Sequence, residues 1–336
     1  MRVPAEAPRR QRPGRLVVIA LCGVLAPMVL PALQLDATPE QIAAATAQRD
    51  ARNLVPDTRG TGRYPALKEE TASLPDQVVY RPARLDSLGS TKLGVYLFGN
   101  GACVDDGASS RLHLLEIASH GYLAIAPGRI RNGPGATAPP PPVAGSQPPE
   151  LTVRTSYRQL LAAIDWVMAQ NADAAGPYYR RIDTSAIAVS GYSCGGAQAM
   201  RAAADSRVKT LVMMNSGLFK DGDGTGVPEM DVSKSALKLL HTPVFYLAGG
   251  ESDVAWVNAN DDFARLDHVP VFYANLAGVG HDGTFWEPNG GRAAAAVVAW
   301  LDWQLRGDRR AATQFVGRDC GLCTDKAWSV QKKRID

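Results

Sequence analysis

Residues 187–196 read IAVSGYSCGG. A short run suited to a buried strand leads straight into Gly191-Tyr192-Ser193-Cys194-Gly195, and the helix-forming stretch AQAMRAAA follows. Glycine and serine are common in surface turns, and G-x-S-x-G matches arise by chance. Here the strand-turn-helix context is that of a nucleophile elbow. Such a turn is too tight for side chains at Gly191 and Gly195, and it lifts the Ser193 hydroxyl above the end of a sheet. The amide of Cys194, at the start of the helix, is then expected to point toward negative charge developing beside the serine.

Around this stretch, short apolar runs alternate with longer helical segments. The runs are VVY (78–80), LGVYLF (93–98), YLAIA (122–126), IAVS (187–190), TLVMM (210–214), PVFYLA (243–248) and PVFYA (270–274). Alternation of this kind predicts an α/β domain with a mostly parallel sheet. YRQLLAAIDWVMAQ (157–170) and RAAAAVVAWLDWQL (292–305) carry apolar residues at helical spacing and predict two amphipathic helices on that sheet.

A serine hydroxyl alone is a weak nucleophile and needs a base and an orienting carboxylate, in the chain order serine, acid, histidine. Both follow. GGESDVAW, after the run VFYLA, offers Glu251 and Asp253; His281 comes directly after VFYANLAGVG. Of the five histidines, His113 and His120 precede the elbow, and His241 and His268 lie before strands at the opposite edge, so His281 alone is placed to reach Ser193.

In this order and wording the chain resembles the α/β hydrolases, and within them the dienelactone-hydrolase-like and cutinase-type polyester hydrolase branch. The similarity runs from LGVYLFGNGAC to the end, through EIASHGYLAIA, DTSAIAVSGYSCGGAQAM, GESDVAW, the histidine loop and AVVAWLDWQLRGDRRAATQF. It implies an α/β-hydrolase fold, with helices flanking the sheet and no large separate lid domain. It also implies a serine esterase that uses no cofactor and takes a small-molecule or polymeric ester.

In that branch the G-E-x-D loop supplies its acid at the aspartate, here Asp253, with Glu251 as the fallback. One oxyanion donor is the N–H after the nucleophile, at Cys194; the other lies in GNGAC. Ala102 is the choice by position, with Asn100, Gly101 and Cys103 open. The branch also carries an aromatic after the strand corresponding to TLVMM. This chain departs there, reading NSGLFKDGDG, with Leu218 or Phe219 nearest. Candidate substrate contacts are Tyr192, Trp256, Phe285 and Trp286. The last two form either an apolar acyl-binding wall or core contacts of the following helix. An acyltransferase or amidase would use the same triad. A non-catalytic binding protein on this scaffold usually lacks a triad member, and none is missing here.

The chain has 336 residues, 46% hydrophobic and 21% charged, with a formal net charge of +3. That balance is globular, and the arginines at the extreme N-terminus account for part of the charge, so no basic face for nucleic acid is implied. These arginines precede LVVIALCGVLAPMVLPAL (16–33), which reads as a secretory leader within residues 1–35. An uncleaved anchor is the rival, and only then would a membrane be a partner; Pro27 and Pro31 favour cleavage. Arg9 and Arg10 are paired, but RRQRPG lacks the hydrophobic follow-on of a twin-arginine signal. Localisation would be secreted or periplasmic. Residues 36–75 read as a polar linker with room for one helix at PEQIAAATAQRDARNL, and the catalytic domain is placed at 76–336.

Export leaves Cys103, Cys194, Cys320 and Cys323, an even set where disulfides persist. The lone C-x-x-C lacks the partners of a zinc site. Cys103 and Cys194 would flank one oxyanion hole. They either join as a disulfide, if their Cα atoms fall within about 7 Å, or stay as small packing residues. In the first case Cys320 and Cys323 pair locally or remain thiols.

No metal is expected. KDGDGTGVPEMD (220–231) begins like a calcium loop, but the twelfth position from Asp221 is Val232 where a glutamate is required, and a solvated turn is the simpler reading. GPGATAPPPPVAGSQPPE (133–150) should run extended at the sheet's carboxyl edge. KAWSVQKKRID reads as a solvated end.

Overall fold

A computed structural model describes residues 38–140, 153–223 and 226–336. The apolar stretch 16–33 and most of the proline-rich segment lie outside these residues. Among the described residues, no helix is long and apolar enough to cross a membrane. In chain order the strands are β1 (Ala66–Thr71), β2 (Leu74–Pro82), β3 (Leu93–Gly99), β4 (Tyr122–Pro127), β5 (Ile182–Tyr192), β6 (Val208–Met214), β7 (Val244–Ala248), β8 (Val271–Leu276) and β9 (Trp328–Lys333). The principal helices are α1 (Pro39–Leu54), α2 (Arg111–Ser119), α3 (Tyr157–Ala172), α4 (Cys194–Ala202), α5 (Trp256–Arg265) and α6 (Gly291–Arg306).

The strands form one sheet in the order β1-β2-β4-β3-β5-β6-β7-β8-β9. Neighbours from β4 through β8 run parallel, while β1, β2 and β9 pair antiparallel at the two ends. β5, which carries the elbow, is the central strand. Val95, Leu97 and Val189 project into a core shared with Leu160 and Ile164 of α3, Met200 of α4 and Phe263 of α5. Tyr96, Phe98 and Ala188, one position along, project into a second core with Leu114 of α2 and Val297 and Trp300 of α6. Burial on both faces is why the parallel strands read as continuous apolar runs rather than as an alternation.

The expected boundary at Asp76 moves upstream. ALKEET, placed in the linker, is strand β1, and β2 begins at Leu74. Every residue of β1 is only half-buried, so its polar sequence carries no core signal. The helix expected within 36–75 is α1, opened by a capping box in which Gln41 N–H donates to Thr38 Oγ1 at 3.2 Å and Thr38 N–H donates to Gln41 Oε1 at 2.8 Å. The tail read as a solvated end contains β9, antiparallel to β8. Its lysines are not free ends: Lys332 Nζ donates to Gly317 O at 2.7 Å, and Lys333 Nζ donates to Phe263 O at 2.6 Å and Leu266 O at 2.9 Å. Lysines on an outer strand also discourage pairing with another sheet.

Candidate active site

The elbow follows from where β5 ends. Ser193 lies between β5 and α4 with φ 52° and ψ −123°, a conformation that non-glycine residues seldom hold outside functional sites. A Cβ on Gly191 would sit 2.0 Å from Gly195 O, and one on Gly195 would sit 2.1 Å from Gly99 O. No side chain fits either gap, which accounts for the glycines on both sides of the serine.

Three loops at the carboxyl ends of β5, β7 and β8 bring together residues far apart in sequence. His281 Nε2 lies 2.9 Å from Ser193 Oγ, and His281 Nδ1 lies 2.7 Å from Asp253 Oδ1. With a carboxylate facing Nδ1, that nitrogen donates, and Nε2 is left to accept from the serine hydroxyl. Asp253 is sealed from solvent at 0% side-chain exposure, whereas His281 keeps 12%. Burying a carboxylate demands compensation. Oδ1 also accepts from Ala255 N–H at 3.0 Å, and Oδ2 accepts from Gly249 N–H at 3.1 Å and Asn215 Nδ2 at 2.9 Å. The fallback acid, Glu251, is exposed on the same loop.

Asn215 is a residue that the sequence reading missed. It follows β6 with φ 45°, and its amide also donates to Gly280 O at 2.9 Å, so one side chain ties Asp253 to the residue before His281. Its only signal in the sequence is its place immediately after TLVMM, at the edge where the other loops converge.

On the other side of Ser193, the loop after β3 carries two consecutive left-handed residues, Ala102 at φ 51° and Cys103 at φ 49°. Cys103 and Cys194 form a disulfide with a Cα–Cα distance of 5.4 Å. Cys320 and Cys323 form a second. The N–H of Cys103 already donates to Asn100 O at 3.2 Å, which removes it from the alternatives for a free donor. Cys194 opens α4, where the first amides have no acceptor within the helix.

The aromatic candidates separate by burial. Phe285 is only 3% exposed and packs on Tyr192, Phe98 and His113, with ring centroids 4.7, 5.9 and 5.6 Å away. It is a core residue and not an acyl-binding wall. Tyr192, 6% exposed, lies against the His281 ring at 5.2 Å and presents little surface to a ligand. Leu218 is fully buried, whereas Phe219, Trp256 and Trp286 are half-buried. The Arg52 guanidinium stacks 4.5 Å from the Trp286 ring centre. His113, fully buried beneath the elbow, bonds Tyr96 Oη at 2.9 Å, and burial pushes its pKa down to about 3, so it stays neutral. Among the described residues, no group of three or more His, Cys, Asp or Glu side chains is placed to hold a metal ion.

A family model described as PETase: PET hydrolase-like matches residues 149–220, the stretch spanning α3, β5, the elbow, α4, β6 and Asn215. The fold is that of the α/β hydrolases. Within them, the match supports the cutinase-type polyester hydrolase branch and a hydrolase acting on esters. No curated protein matches the chain.

Proposed function

We propose that this α/β hydrolase cleaves carboxylic esters through an acyl-enzyme on Ser193. The observation that carries the proposal is the unbroken hydrogen-bonded line from Asp253 through His281 to Ser193 Oγ. As Ser193 Oγ bonds to the ester carbonyl carbon, its proton passes to His281 Nε2 and the carbonyl oxygen becomes an oxyanion. Asp253 holds the imidazole in the required tautomer and stabilises the imidazolium. The N–H groups of Cys194 and Ala102 are assigned to the oxyanion, on loops joined by the Cys103–Cys194 disulfide. Collapse of the tetrahedral species breaks the bond to the alcohol, which leaves with the proton from His281. Water then gives a proton to His281 and attacks the acyl carbon. The acid departs and Ser193 recovers its proton.

Trp256 and Phe219 are half-buried candidates for an apolar acyl or aryl group, and Trp286 is a third with Arg52 over one face of its ring. Two disulfides, together with the leader-like sequence at 16–33, fit a chain that works outside a reducing compartment. The test is labelling with a fluorophosphonate alongside hydrolysis of a graded p-nitrophenyl ester series. Labelling at Ser193, lost together with hydrolysis in Ser193→Ala, is the expected result. Ester hydrolysis within tenfold of wild type in Ser193→Ala would overturn the assignment.

A further inference from the structure

We infer that Arg52, in the last turn of α1, is a positioning residue that clamps the histidine loop and neutralises Asp282 beside His281. The inference rests on the proposed role of His281 as base. Arg52 Nη2 pairs with Asp282 Oδ2 at 2.6 Å, and its guanidinium stacks on Trp286, so it grips the loop at two points across 230 residues of sequence. The Tyr192 hydroxyl lies close enough to Asp282 to feel its charge, and the Tyr192 ring lies against His281. One carboxylate therefore lies between the N-terminal helix and the strand that carries the nucleophile.

The clamp is itself anchored. Arg111 of α2, fully buried, donates from Nη2 to Arg52 O at 2.9 Å and Val55 O at 2.6 Å. Its Nε donates to Asp57 Oδ1 at 3.0 Å, and the other oxygen of Asp57 pairs with Lys68 of β1. The end of α1 is thus fixed to both α2 and the sheet, and Arg52 transmits that fixation to the histidine loop.

The charged and titratable groups around His281 are few. Asp253 binds Nδ1, Ser193 faces Nε2, Tyr192 packs on the ring, Asp282 follows in sequence under Arg52, and Glu251 is exposed on the acid loop. Removing the Arg52 charge leaves Asp282 uncompensated beside the base. A nearby negative charge favours the imidazolium, which cannot accept the serine proton. Activity should then fail at the acid end of the pH range while the alkaline plateau is kept.

The experiment is the pH dependence of kcat/KM on a soluble ester for wild type, Arg52→Ala, Arg52→Lys and Arg52→Ala/Asp282→Asn. Arg52→Ala should move the acid limb up by about half a unit to one unit, a loss of roughly three- to tenfold below the limb, with about twofold or less at the plateau. Arg52→Lys should restore the limb by returning the charge, and the double variant should restore it by removing the uncompensated carboxylate. An unmoved acid limb in Arg52→Ala, or a uniform loss at every pH that Arg52→Lys does not repair, would overturn the inference. If Arg52→Ala does not fold, Arg52→Gln keeps a shorter stem with a planar, uncharged head and is read by the same criteria. Ser193→Ala is scored separately and bears on the triad alone.

Discussion

At Gly99 and Gly195 two backbones approach so closely that a methyl group has no room, whereas on the far side of Ser193 the His281 loop meets its neighbours through the side chains of Asp253, Asn215 and Arg52. The nucleophile half of the site is shaped by main chain and a covalent bond. The base half is a polar network contributed by α1 and by the loops after β6, β7 and β8. Backbone constraints tolerate almost no substitution. A network of side chains can be weakened one member at a time, and its members should show graded losses.

The largest effect should come from the nucleophile. Ser193→Ala removes the attacking atom from a pre-formed elbow without opening a core cavity, and kcat should fall by about 10⁶ with the melting temperature kept. Asp253→Asn should lower kcat by about 10⁴, because an amide facing His281 Nδ1 favours the wrong tautomer; Glu251→Gln should stay within about twofold. The reverse ranking of these two variants would move the acid to Glu251.

Asn215→Ala takes one of two donors from Asp253 Oδ2 and frees Gly280, and a loss on the order of tenfold to a hundredfold in kcat is expected, since bonds to charged groups contribute about 1.5–3 kcal/mol. Full activity in that variant would reduce Asn215 to a loop residue. A smaller loss of rate should come from the disulfide beside Ser193. Cys103→Ser/Cys194→Ser should lower kcat on the order of tenfold by loosening the assigned oxyanion donors, and should lower stability by about 2–5 kcal/mol in denaturant titration. Cys320→Ser/Cys323→Ser, which opens a bridge between residues only three apart, should leave kcat unchanged. Equal losses in the two double variants would remove any special role for the bridge at the elbow.

The contrast between the two halves also explains what could be read in advance. GYSCG announces its geometry because only glycine fits on either side of Ser193, and the parallel strands announce theirs because burial on both faces leaves unbroken apolar runs. The approach of Asp253 and His281 to Ser193 was legible through chain order and loop wording. Asn215 and Arg52 were not, since an asparagine in a loop and an arginine in a polar helix are ordinary until folding places them beside a buried carboxylate or Asp282. β1 and β9 escaped for a related reason: ALKEET and WSVQKK lie at the two ends of the sheet, and what identifies them is their pairing with β2 and β8 rather than their composition. Phe285 belongs to the same lesson, because an aromatic four residues after the base reads equally well as pocket or core until its ring is seen against Phe98 and His113.

The bond between Cys103 and Cys194 spans 91 residues and crosses β4, α2, α3 and β5 on the way. The line from Asp253 through His281 to Ser193 is held by hydrogen bonds, whereas the link between the two loops is covalent. The brace between the two assigned oxyanion loops forms only where thiols are oxidised. On the proposed mechanism, a reduced chain would carry Ser193 beside an unbraced hole, and oxidation of Cys103 and Cys194 would be the step that completes the site.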